Sequence, residues 1–104
     1  MHGITLTSAP SDWEILQQTD KKATVTLKGS FQVHPAAIQV GVDHVTPIAR
    51  VMREDDNMTV IPWTKADHFS CDDQFRGTFD ITLTLPAGGP YRIDTSLETK
   101  STIP

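Results

Sequence analysis

Between Thr78 and Leu85 every second side chain is apolar: Phe79, Ile81, Leu83 and Leu85 alternate with Thr78, Asp80, Thr82 and Thr84. A β-strand turns successive side chains to opposite faces, so this run dictates an extended segment with one buried face and one wet face. Immediately after it, Pro86-Ala87-Gly88-Gly89-Pro90 offers two residues without a backbone N–H and two that tolerate positive φ. A strand cannot continue through that composition, and the chain must turn. Tyr91, Ile93, Thr95 and Leu97 then resume the alternation on the far side.

The same period recurs upstream, at Ala23, Val25 and Leu27 and again at Ile38, Val40 and Val42. Threonines fill many of the intervening positions, where their branched Cβ favours strand over helix. Weaker strands are expected at Ile4–Leu6, Glu14–Gln17, Pro47–Arg53 and Met58–Trp63, with turns at Asp20-Lys21 and at Glu54-Asp55-Asp56-Asn57. Only Ser11–Gln18 offers a short helical turn, with Ser11 or Asp12 as its cap. Short strands at this spacing predict an all-β fold, an antiparallel two-sheet Ig-like sandwich of roughly seven or eight strands. The 104 residues suit one domain, with residues 98–104 serving as a last strand or the start of a linker.

The totals narrow the function. A net charge of -4 argues against duplex nucleic acid, whose phosphates require a basic face. No run approaches the roughly 20 apolar residues that span a bilayer as a helix. Met1-His2-Gly3-Ile4-Thr5 lacks the basic-then-apolar pattern of a signal peptide, which favours a chain that stays in the cytoplasm or forms part of a longer one. Cys71 is the sole cysteine, so no intramolecular disulfide forms, and Asp72 and Asp73 beside it disfavour a nucleophilic thiolate.

No reactive constellation emerges. His2, His34, His44 and His68 have no short-spaced histidine partner to hold zinc, and only His44, after Asp43, is placed for a structural hydrogen bond. Asp55, Asp56, Asp67, Asp72 and Asp73 occupy two loops that a sandwich can bring together, but without an Asp-x-Asp-x-Asp-Gly ladder they read as solvated charge rather than calcium ligands. Ser30, Ser70 and Ser96 lie outside any Gly-x-Ser-x-Gly elbow, and Gly88-Gly89 lacks the helix and lysine of a phosphate loop. The expectation is a chain with no catalytic residue, metal or cofactor. Trp13, Trp63 and Tyr91 are the candidates for stacking on a sugar ring. With aromatics at only 7%, the core has first claim on them, so Trp13 is expected to anchor the N-terminal strand and Trp63 to close the sandwich edge.

Leu85-Pro86-Ala87-Gly88-Gly89-Pro90-Tyr91-Arg92-Ile93, preceded by Gly77–Thr84, resembles the N-terminal β-sandwich (Ig/fibronectin-like) domain of bacterial SGNH/GDSL-type sialate O-acetylesterase-like proteins. Asp12–Gln18, Ala23–Gly29 and Ala37–Val40 followed by Trp63 fit the same pattern, so the likeness covers most of the chain. The resemblance implies an accessory domain beside a hydrolase domain in the same chain. The Gly-Gln-Ser-Asn-type nucleophile block of that hydrolase is absent from these residues, so no catalytic residue carries over. A carbohydrate-binding module is the alternative, with the exposed tryptophans or tyrosine as its platform. Independently of the family, Tyr91 after the Gly88-Gly89 turn is placed to bond back to the turn's backbone, as in a tyrosine corner.

Overall fold

The computed structural model describes residues 4–8, 12–36 and 41–101, with side chains for 14–36 and 41–101. Eight strands follow one another: β1 (Ile4–Ser8), β2 (Asp12–Gln18), β3 (Lys22–Gln32), β4 (His44–Arg53), β5 (Thr59–Lys65), β6 (His68–Cys71), β7 (Arg76–Pro86) and β8 (Gly88–Lys100). They form two four-stranded sheets, ordered β1-β8-β4-β5 and β2-β3-β7-β6. Pairing is antiparallel except that β1 runs parallel to β8. The two-sheet sandwich read from the alternation is therefore present.

The alternation places the core. In the second sheet Ala23 lies opposite Leu85, Val25 opposite Leu83, Leu27 opposite Ile81, and Gly29 opposite Phe79. In the first, Ala49 and Val51 of β4 lie opposite Thr95 and Ile93 of β8. Val25, Leu27, Ala49, Val51, Phe79, Ile81, Leu83, Leu85, Tyr91 and Ile93 make one buried cluster drawn from both sheets. Each such large side chain contributes about 1.5–3 kcal/mol of burial. Thr26 and Thr82 face each other across β3 and β7 on the opposite face, their hydroxyls 3.1 Å apart.

The two poles of the sandwich differ. At one, β7 turns into β8 through Ala87, with positive φ at Gly88 and Gly89 and a cis Gly89–Pro90 bond. The break is tighter than the five-residue turn read from the sequence, because Gly88 through Pro90 already belong to β8 and Gly88 pairs with Ile4 of β1. Tyr91, 1% exposed, donates its hydroxyl to the Pro86 carbonyl at 2.8 Å, the back-bond expected of it. Tyr91→Phe removes that hydrogen bond, and it lowers stability by about 1 kcal/mol in a urea titration.

At the other pole β8 ends. Ala66 and Asp67 cross between the sheets there, Ala66 donating to Pro47, opposite Leu97, and Asp67 to the Asp80 carbonyl. The C-terminal half of β8 thus shares its pole with β6, the start of β7 and the end of β3.

The strands can be compared with the sequence expectations one by one. The strand read at Glu14–Gln17 is present as β2, extended to Asp12–Gln18, in place of the alternative helical turn, since its backbone pairs with residues 23–28. The strand expected over Ile38–Val42 falls partly on residues outside those described. Gly41, at φ 102°, is in a turn, and the next strand starts at His44. Strand β6 has no counterpart in the sequence reading. Residues 98–100 belong to β8, the last-strand alternative read for 98–104, of which 102–104 lie outside the described residues. No helix among the described residues is long and apolar enough to cross a membrane.

Candidate functional site

Ala49 and Val51 point into the core, so Arg50 between them projects from the outer face of the first sheet. Register sets Arg50 opposite Asp94 on β8, and Nε of Arg50 donates to Asp94 at 2.9 Å. Arg92, two residues earlier on the same face of β8, donates to the same carboxylate through Nε at 3.0 Å and Nη2 at 3.4 Å. Partial burial pushes the Asp94 carboxyl up, but the hydrogen bonds and charges of Arg50 and Arg92 outweigh it, and the net shift is downward. Asp94 therefore stays ionised and holds both guanidiniums in place.

On the neighbouring strand, an irregularity in the β4–β5 register brings Trp63 onto this face. The Arg50 guanidinium carbon lies 4.7 Å from the centre of the Trp63 ring, a cation–π contact. Trp63 is 43% exposed. It does not close the sandwich edge as the sequence suggested; the core is filled by β3, β4, β7 and β8 without it. Lys65 is one row further along β5, opposite Ile48. Tyr91 is too deeply buried to serve as a sugar platform. Trp13 pairs its backbone opposite Leu27, and its side chain lies outside those described.

A second candidate lies at the pole where β8 ends. An open cleft of about 700 Å³ is lined by Lys28, Gly29, Ser30, His68, Phe69, Ser70, Thr78, Phe79 and Asp80. Phe69 is 44% exposed beside it. His68 Nδ1 lies 3.0 Å from Asp80. That hydrogen bond and the Asp80 charge raise the His68 pKa above its ordinary value, against a smaller opposing effect of burial. A raised folded pKa favours the folded state below the unfolded value of about 6.5 and stops doing so as pH rises through the folded value. An NMR titration of His68 should have its midpoint above that of a free histidine, and Asp80→Asn should bring it back.

His and Asp together with Ser70 suggest a triad, but the geometry does not make one. His68 and Ser70 are two positions apart on one strand, which separates same-face residues by roughly 7 Å. The Ser70 hydroxyl instead meets that of Thr78 at 3.2 Å. Cys71 is no better a nucleophile: partial burial of its sulfur, and then the Asp72 charge, raise its pKa.

The acidic loop residues serve the backbone. Asp72 accepts from Gln74 and Arg76 amides at 2.9 Å, Asp67 accepts from the Thr82 amide at 2.7 Å, and Asp56 from the Met58 amide at 3.0 Å. Asp55 faces Arg53. No group of three or more metal-binding side chains gathers among the described residues. His44 meets Asp43 at 2.7 Å, the one histidine contact the sequence singled out.

Sequence reasoning missed the Arg50–Asp94–Arg92 set. No local signal marked it: Arg50 and Asp94 occupy outward positions where the alternation expects polar residues, and only strand pairing brings them together. Comparison with family models, curated proteins and solved structures finds no match for this chain.

Proposed function

We propose that the chain is a non-catalytic accessory β-sandwich domain of a carbohydrate-active, sialate O-acetylesterase-like esterase, stabilising or positioning a neighbouring hydrolase domain. The observation that carries this reading is the pole at which β8 finishes. An exposed aromatic, Phe69, and an open cleft lined in part by Gly29 and Phe79 lie at the same pole as the end of β8. An exposed aromatic beside an open cleft is a surface that a packed neighbour would cover. The resemblance of Leu85–Ile93 to the turn of such domains supports the choice of neighbour.

The test is a fusion. Joined after Pro104 to an SGNH-type esterase domain, the chain raises that domain's melting temperature, and Phe69→Asp removes the gain while leaving the sandwich folded. A fusion in which both domains melt as they do alone would overturn the reading.

A further inference from the structure

We propose that the outer face of the first sheet is a self-association surface, on which a second copy of this chain packs sheet to sheet about a two-fold axis. The inference goes beyond the accessory role and does not rest on it, since it uses a different surface from the pole where β8 ends.

The two outer faces of the sandwich differ in composition. On the second sheet the outward positions of β3 and β7 are Thr24, Thr26, Lys28 and Ser30, and Thr78, Asp80, Thr82 and Thr84. All of them are polar. On the first sheet Ala49 and Val51 point inward, so Ile48, Arg50 and Met52 point outward, and Trp63 joins them from β5. Tryptophan, methionine and arginine are the residues that protein interfaces gather. A strand face meant only for water would carry polar groups at Ile48 and Met52.

Register selects the occupant. Strand pairing arranges this face in rows: Arg92 beside Met52, Asp94 beside Arg50 and Trp63, Ser96 beside Ile48 and Lys65, and Glu98 beside Thr46. A two-fold axis lying across the strands, between the Asp94 and Ser96 rows, lays each strand antiparallel over its own copy. Arg92 then meets Glu98 of the second copy, Asp94 meets Ser96, Arg50 meets Ile48, and Trp63 meets Lys65. Each contact occurs twice, as an isologous interface requires.

The pairs are chemically matched. Arg92 and Glu98 form an ion pair, and the Ser96 hydroxyl donates to the ionised Asp94. Ile48 covers the stem of Arg50. The Lys65 stem lies on the exposed part of Trp63, with its ammonium reaching water beyond the sheet edge. An axis along the strands instead stacks Arg50 on Arg50 and offers no such match. Sheets packed in this aligned way cross at about −30°, which keeps the central rows in contact. Four rows across three strands cover roughly 400 Å² on each copy, about half of what a standard interface buries per partner, so the dimer is weak.

Sedimentation velocity of the full chain between about 10 µM and about 1 mM reads the association. The Trp63 indole N–H resonance, followed over the same range, locates it. The expected result is a shift from monomer to dimer with rising concentration, accompanied by movement of the indole. Arg92→Glu and Glu98→Lys each weaken association at least ~10-fold, because like charges then meet at both contacts. An equimolar mixture of these two variants regains it, since opposite charges meet again. Positions 92 and 98 are about 20 Å apart along one strand, so the recovery acts between chains. Arg92→Gln adds no like charge beside Asp94 and takes the place of Arg92→Glu should that variant fail to fold.

Four results would overturn the proposal: a monomer at the highest concentration, an unmoved indole, undiminished association of Glu98→Lys alone, or a mixture of folded variants that stays monomeric. The fusion experiment reads melting temperature and Phe69, so the two readings fail separately.

Discussion

Leu83→Ala lowers the stability of this domain by about 3 kcal/mol, a large share of the roughly 5–15 kcal/mol available to a domain of this kind. Leu83 is 4% exposed and belongs to the cluster shared by both sheets, directly opposite Val25. Removing its side chain loses the transfer free energy of the buried carbons. It also leaves a void that two packed sheets cannot collapse to fill, because their spacing is set by the neighbouring large residues. In a urea titration the midpoint falls sharply while the slope stays near that of the parent. Thr84→Ala, one residue on and facing outward, shifts stability by no more than about 0.5 kcal/mol. If the two variants melt alike, the inward and outward assignments of β7 are wrong.

The second large effect comes from a position with no side chain. A Cβ at Gly77 collides with the Ser70 carbonyl oxygen of the paired strand, with the carbonyl carbon close behind. The obstacle is backbone and not the tip of a flexible side chain, so a strand must move. The strand that moves is β6: it is four residues long, lies at a sheet edge and pairs only with β7. Gly77→Ala is expected to cost about 1–3 kcal/mol, in the range of overpacking. Hydrogen exchange localises the damage, with protection lost at Ser70 and retained at Val25 and Leu83. Unchanged protection at Ser70 together with unchanged stability would show that β6 does not approach Gly77 this closely.

These two cases mark what the sequence made legible. Strands β7 and β8, and β3 apart from the buried Thr26, bury one face, so burial wrote itself as alternation, and their cores follow position by position. Strand β4 was half legible. Pro47 reads as a strand start because it lacks the N–H for the ladder. Yet β4 begins at His44, and Pro47 is accommodated because β5 pairs only from Ile48 onward. Strand β6 was invisible, since all four of its residues are exposed and no apolar period exists. Its hairpin also lacks a glycine signal. Asp72 shapes that turn by accepting amides from Gln74 and Arg76, and Phe75 takes a positive φ of 56°. The parallel pairing of β1 with β8 is a long-range event that no local pattern announces.

The candidate site was legible only in fragments for the same reason. Trp63 was singled out for its chemistry, but whether it faced core or solvent depended on a register irregularity between β4 and β5. Arg50, Asp94 and Arg92 come together by pairing across 44 residues of sequence, which local reading does not reach. Tyr91 was legible because its partner, Pro86, is five residues away.

The proposed accessory role requires that the sandwich present surfaces for binding and none for bond breaking. The direct measurement is hydrolysis by the purified chain of p-nitrophenyl acetate and of an O-acetylated sialoside, beside His68→Ala and Ser70→Ala variants. The expected result is release of acetate at the rate set by buffer and exposed histidine alone, unchanged by Ser70→Ala. Turnover of the sialoside that disappears with either substitution would contradict it.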